Sequence, residues 1–155
     1  MAKFKKYVLK QAIGIISVAL IFVSFTACNR KEMISYYRDE SHYITATGIV
    51  SYISYNAYSN AWYLCFADLS FEFDDNCFKV VGENIPIVQG KIGNFNTLCG
   101  KEVSFVTAPK YFGDGYVMPL VSLTVDGETI LNDQDGVANF LEWLIGQGTV
   151  PRPKK

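Results

Sequence analysis

The sequence predicts a mainly β domain closed by one C-terminal helix and preceded by a charged, then apolar, N-terminal segment. Three observations carry this. Apolar residues alternate with polar ones at Leu69, Phe71 and Phe73 and again at Val121, Leu123 and Val125, the period of a strand with one buried face. A helical period occurs at Val137, Phe140, Leu141, Leu144 and Ile145, which fall at i, i+3, i+4, i+7 and i+8 on one face. Residues 12–25 (AIGIISVALIFVSF) form an uncharged run of 14 residues, short of the roughly 20 that a membrane-spanning helix needs.

The 155 residues are 50% hydrophobic, enough for one packed domain beside a targeting segment and too apolar for a disordered chain. The near-neutral total charge conceals a split. Four of the 14 Lys and Arg (Lys3, Lys5, Lys6 and Lys10) lie in the first 27 residues, which leaves 10 bases against 15 acids from Cys28 onward, a net of −5. An acidic body lacks the footprint that phosphate neutralisation requires, so nucleic-acid binding is not expected.

Lys3, Lys5 and Lys6 ahead of the apolar run give the layout of a secretory signal peptide. The run ends in Phe25-Thr26-Ala27-Cys28, which resembles the lipobox of bacterial lipoproteins, with Phe25 where Leu is usual. That resemblance covers the first 28 residues. It implies a diacylglycerol thioether on Cys28, cleavage before it and acylation, as by palmitate, of the freed amine. Two or three acyl chains would anchor the protein, outside the cytoplasm, to the cell membrane or the outer membrane. The alternative is an uncleaved signal anchor over 7–27. The expected organisation is a signal peptide at 1–27, a tether or short helix at 28–40, the β domain with its helix at 41–146, and a basic tail at 147–155.

In the mature chain, 42–55 reads as a strand rich in Thr, Ile, Val and Tyr, with Gly48 where it would bend. A second strand is expected over 62–73, and a third over 76–81 after a turn at Asp74 and Asp75. Pro86, Gly90 and Gly93 argue against a long helix in 83–98, leaving at best one short turn. Strands are expected again at 101–108 and 117–125. The dipeptide Asp126-Gly127 then makes a tight turn into a short strand at 128–131. The last helix should start near Gly136, capped by Asp133 or Asp135, and stop at Gly146.

Besides Cys28, the cysteines are Cys65, Cys77 and Cys99. If the Asp74-Asp75 turn closes a hairpin, Glu72 faces Cys77 and Cys65 lies further along, so a Cys65–Cys77 bridge is not expected by register. All three read as small buried hydrophobes.

Five strands with a long bent first one, an irregular link between the third and fourth, and a terminal helix resemble a small antiparallel OB-fold-like barrel over 41–131. Another small barrel or a sandwich remains open. The resemblance implies a ligand face flanked by the loops 55–61 (YNAYSNA) and 109–116 (PKYFGDGY). Tyr55, Tyr58 and Trp62 on the first loop, and Tyr111, Phe112 and Tyr116 on the second, are the candidate ligand-binding residues, with Tyr58 and Tyr111 foremost. The competing reading of Trp62, Phe112 and Tyr116 is that they cap the barrel ends as part of the core, since aromatic residues supply most of a small domain's buried area.

Catalytic and metal chemistry finds little support in the residues. His42 is the single imidazole, so any Ser-His or Cys-His scheme must use it, and no nucleophile signature lies near it. Asp74 and Asp75 read as a solvated turn. Residues 131–142 (LNDQDGVANFLE) approach a calcium loop, but Leu131 stands at its first ligand position. No cofactor or metal is expected. The expected role is a non-catalytic binding or interaction module of the cell envelope, its partner an unidentified envelope protein or glycan. The alternatives are an inhibitor or immunity-type protein blocking another protein, and an enzyme acting on envelope polymers.

Overall fold

The computed structural model describes residues 30–69, 76–112 and 115–147. The signal segment, Cys28, Phe71, Phe73, the Asp74-Asp75 turn and the tail beyond Gln147 lie outside these. Two units divide the chain, Met1–Ser35 and Tyr36–Lys155. Helix α1 covers 30–38, so its last turn belongs to the second unit. A 3-10 turn (Glu40–His42) follows, capped by Asp39.

The second unit is mainly antiparallel sheet. Strands β1 (Ile44–Asn56), β2 (Ala61–Phe66), β3 (Cys77–Val80), β4 (Glu102–Thr107), β7 (Ser122–Val125) and β8 (Glu128–Leu131) form six strands in the order β3-β2-β1-β4-β7-β8. Strands β5 (Lys110–Tyr111) and β6 (Tyr116–Val117) make a separate two-stranded hairpin. The long β1 serves two partners, pairing β4 through Ile44 to Ile49 and β2 through Val50 to Asn56, with a register shift between Val50 and Tyr52. Gly48 leaves room for a close neighbour, since a Cβ there would stand 2.8 Å from Leu69 Cδ2.

The sheet does not close into a barrel ladder. Its edge strand β3 meets the segment before β7 through one parallel bridge, Lys79 to Pro119, made by Lys79 N–H to Met118 O (2.8 Å) and Leu120 N–H to Lys79 O (2.9 Å). The expected strand over 117–125 is regular only as β7, because the preceding residues are used by that bridge and by β6.

Alternation works as the sequence indicates: Val103, Phe105 and Thr107 of β4 and Leu123 and Val125 of β7 are buried. They join Val50, Leu64, Phe66, Phe78 and Val80 in the main core. Covering it are two elements where at most one short turn was expected, α2 (Asn84–Ile92) and the 3-10 turn Phe95–Leu98. Pro86 is harmless in the first turn of α2, where its missing N–H would have no helical partner. Gly93, at φ 77°, ends the helix.

Helix α3 (Asp133–Gly146) starts three residues earlier than its apolar pattern indicated. Asn132, rather than Asp133 or Asp135, caps it, accepting from the Asp135 N–H at 2.9 Å, while both aspartates sit in the first turn where the helix dipole favours them. Phe140 and Leu144 are buried, but Ile145 is exposed. The helix meets the sheet at Gly136, where any Cβ would fall onto the Val121 carbonyl. The fully buried Asn84 side chain donates to Gly136 O (2.9 Å) and accepts from Asn139 (3.0 Å), tying α2 to α3.

The unexpected covalent tie is a disulfide between Cys65 and Cys77. Strand β2 ends at Phe66, and Cys65 pairs directly with Cys77. The register argument against this bridge assumed a hairpin turning at Asp74 and Asp75, which sets Glu72 opposite Cys77; the connection is instead a longer one, and Cys65, seven residues earlier, takes that place. Cys99 is free and exposed, not buried.

Candidate functional site

The first aromatic loop is built on a short turn after β1. Asn56 Oδ1 accepts from the Tyr58 and Ser59 N–H groups at 3.0 and 3.3 Å, and Asn60 takes a positive φ of 46° to bring the chain back. Tyr55 and Trp62 are cross-strand partners with ring centroids 4.8 Å apart, and Trp62 in turn stacks on Phe95 at 4.8 Å with planes 12° apart. The Tyr55 hydroxyl donates to Asn60 Oδ1 at 2.9 Å. The result is a fixed aromatic column that runs from the core to the surface. Beside it Tyr58 stands 80% exposed.

The second loop gathers different rings. Tyr111 and Tyr116 pair across the β5–β6 hairpin at 5.2 Å and are 54% and 45% exposed. Phe112 is only 4% exposed and lies 5.9 Å from both Tyr36 and Tyr37, so it matches the core alternative and offers a ligand almost no surface. The two loops lie at opposite ends of β1: Asn56 leads into the first, whereas the second follows Thr107, which pairs with Ile44. The expected convergence of Tyr58 and Tyr111 beside one face is therefore not supported by the register.

Residues 36–43, placed by the sequence in a tether or short helix and the start of a strand, pack onto the domain. Tyr37 is fully buried, donates to Val117 O at 2.9 Å and meets Phe140 edge-on at 4.9 Å. The Tyr43 hydroxyl donates to Tyr37 O at 2.9 Å. Burial pushes both phenols well above the usual tyrosine range. His42 is not a free strand-edge imidazole: it stacks on Tyr36 at 3.9 Å, and its Nδ1 lies 2.8 Å from Tyr36 O. Lys110 Nζ covers the other rings, 4.4 Å from the Tyr36 centroid and 5.2 Å from that of Phe112. Asp39 is held below the usual carboxylate range by the hydroxyl and N–H of Ser41, with a smaller contribution from His42.

A third group was missed in the sequence. On the outer face of β1, β2 and β3, Tyr52 pairs with Cys65, and Tyr63 with Lys79. The Tyr52 hydroxyl lies 3.5 Å from Cys77 Sγ, and Lys79 Nζ lies 4.8 Å from the Trp143 ring centroid. Burial lowers the Lys79 pKa to about 8. The signal available was period-two alternation: one lysine between the inward residues Phe78 and Val80 must emerge on the opposite face.

A shallow cleft of about 360 Å³ lies elsewhere, over Thr47, Ser104 and Thr124, and carries the Lys101–Asp126 ion pair (2.9 Å). Its residues read as a solvated sheet face, since the Thr47 and Ser104 hydroxyls already satisfy each other at 2.6 Å. Among the described residues no cluster of three or more His, Cys, Asp or Glu could hold a metal ion. No helix among them is long and apolar enough to cross a membrane. No protein family model, curated protein or solved structure matches the chain.

Proposed function

We propose that this chain is a lipid-anchored, extracytoplasmic binding module of the cell envelope, held through acyl chains on Cys28 and built on an OB-like sheet. Its role is recognition rather than catalysis. The observation that carries the reading is the Tyr55–Trp62–Phe95 column with Tyr58 at its edge, because aromatic groups already fixed in place lose little entropy on binding a peptide side chain or a sugar ring.

Two further features support it. The Cys65–Cys77 disulfide suits an oxidising compartment and hence export. A first strand shared between β2 and β4, a helix between β3 and β4, and the parallel contact from β3 to the segment before β7 are the arrangement expected of an OB-like domain whose last contact is a single bridge.

The test combines anchor and site. Fatty-acid labelling should appear on the wild type and vanish with Cys28→Ser. A photoreactive residue at position 58 in intact cells should give one defined adduct with an envelope protein or glycan. Adducts of equal yield from the exposed Glu128, on β8, would refute the site, and unlabelled protein retaining residues 1–27 would refute the anchor.

A further inference from the structure

On the outer face of the sheet, where Lys79 of β3 meets Trp143 of α3, we infer a site for the carboxylate of an acidic sugar, a uronic acid, with Lys79 as its cation and Tyr63 beside it. Lys79 lies between Phe78 and Val80, both fully buried, so its side chain emerges on the opposite face. Its N–H donates to Met118 O at 2.8 Å and its carbonyl accepts from Leu120 at 2.9 Å, both away from β2. The Tyr63–Lys79 pair is therefore the kind without mutual hydrogen bonds, whose Cα atoms stand only about 4.5 Å apart with side chains at their closest. Lys79 Nζ lies 4.8 Å from the Trp143 ring centroid. That ring is itself held, 6.0 Å from the Phe140 centroid and against Gly82, where a Cβ would stand 3.0 Å from Trp143 Cβ. The groups around the ammonium are fixed before any ligand arrives.

The charge itself is unmatched. Lys79 forms no ion pair with a described residue. An ammonium drawn out of water without a counter-ion costs the fold, and a methionine of similar reach would pack there without that cost. With its pKa lowered only to about 8, the group is still mostly protonated at neutral pH. Nor is it sealed in, since the buried polar atoms without a partner among the described residues are Ser59 Oγ, Asn76 Oδ1 and Thr107 Oγ1. A rigid, reachable cation of this kind is matched by an anion from outside.

The surroundings select the class of anion. One ammonium neutralises one negative charge, and the chain from Cys28 onward carries a net of −5, so a monoanionic carboxylate is favoured over a doubly charged phosphate. Residues 43–67 contain no Asp, Glu, Lys or Arg. Ser54, Tyr63 and Lys79 form one row across β1, β2 and β3, and Tyr52, 54% exposed, stands in the next. Rings and hydroxyls suit the uncharged, hydroxyl-bearing body of a sugar. An extended peptide would need a free strand edge for its backbone, and the edge of β3 at Lys79 is taken by the bridge to Pro119. Trp62 and Tyr63 are successive residues of β2 and point to opposite faces, so this site is separate from the Tyr55–Trp62–Phe95 column.

The experiment titrates the full chain in detergent micelles with trigalacturonate, its methyl ester and a triglutamate peptide, by calorimetry, with circular dichroism to verify folding of each variant. Trigalacturonate should bind saturably. Esterification, or Lys79→Met, should weaken binding about tenfold or more, the size expected for one charge-assisted hydrogen bond. Lys91→Gln, which removes the same charge from α2, should leave it unchanged. Equal binding of acid and ester, wild-type affinity in a folded Lys79→Met variant, or equal losses in the two lysine variants would overturn the site. Tighter binding of triglutamate than of trigalacturonate would overturn the sugar as its ligand.

Discussion

Lys79 gives the sharpest test of the packing, because its charge sits where the fold does not favour it. Burial lowers its pKa from the ordinary 10.5 to about 8. The unfolded chain keeps the ordinary value, so between about pH 8 and 10.5 it holds more protons than the folded protein, and stability rises with pH across that window. At about 1.4 kcal/mol per pKa unit, the drop corresponds to roughly 3 kcal/mol destabilising the folded state at neutral pH. Urea unfolding from about pH 7 to 9.5 should therefore show the wild type gaining roughly 2 kcal/mol, with Lys79→Met flat over the same range and more stable at pH 7. The range stops there because Tyr37 and Tyr43 act in the opposite sense: burial holds their phenols protonated, so above about pH 10 ionisation of the unfolded chain lowers stability. Parallel pH profiles for the two proteins, or a Lys79→Met variant less stable at pH 7, would refute the reasoning.

Phe140→Ala should cost about 3–5 kcal/mol, since the ring is fully packed against Tyr37, and should lower Tm by about 15–30 °C in a thermal melt. Stability left unchanged would mean that α3 is not docked. Replacing Cys65 and Cys77 together by Ala removes a cross-link spanning 12 residues and should cost about 3 kcal/mol by loop-closure entropy. A reductant should destabilise the wild type equally and the double variant not at all. Gly136→Ala should destabilise despite its better helix propensity, because the methyl group displaces α3 from Val121, whereas Gly90→Ala, in open space on α2, should stabilise by up to about 1 kcal/mol. A thermal melt in which both changes behave alike would contradict the close approach at Gly136.

What was legible in the sequence was periodicity with a single meaning. The alternation of Val103 and Phe105 and of Leu123 and Val125 located β4 and β7. The turn at Asp126 and Gly127, with φ of 52° and 80°, gave the β7–β8 hairpin. Helix α2 was missed although Ile85, Val88 and Ile92 keep helical spacing, because Pro86 and Gly90 were weighed as breakers without regard to position. Pro86 lies where no donor is needed, and Gly90 is on the exposed face. The disulfide was missed because register was counted from an assumed turn. Strand pairing is set by which residues must face the core, and Leu64 opposite Phe78 fixes it. The loop tyrosines were legible as loop residues, but their separation was not. That depends on which end of a 13-residue strand each loop joins, a matter of pairing between distant segments.

Several long-range ties of the domain meet along one line, the contact between β3 and the segment before β7. Tyr37 bonds Val117 across 80 residues, Lys79 bridges Met118 and Leu120, the disulfide fixes Cys77 two residues away, and α3 closes on Val121. A single parallel bridge is a weak closure, with two hydrogen bonds worth about 1 kcal/mol each, so the neighbouring ties are what keep it formed. Most of them involve residues 36–43, β3 or α3. The loop at Tyr58 takes part in none, its turn being held by Asn56 and its column by Phe95. The closure of the sheet and the Tyr58 loop thus rest on different residues. The exposed Tyr58 can be substituted while the closure is untouched, whereas a change at Tyr37 or Val121 acts on the closure directly.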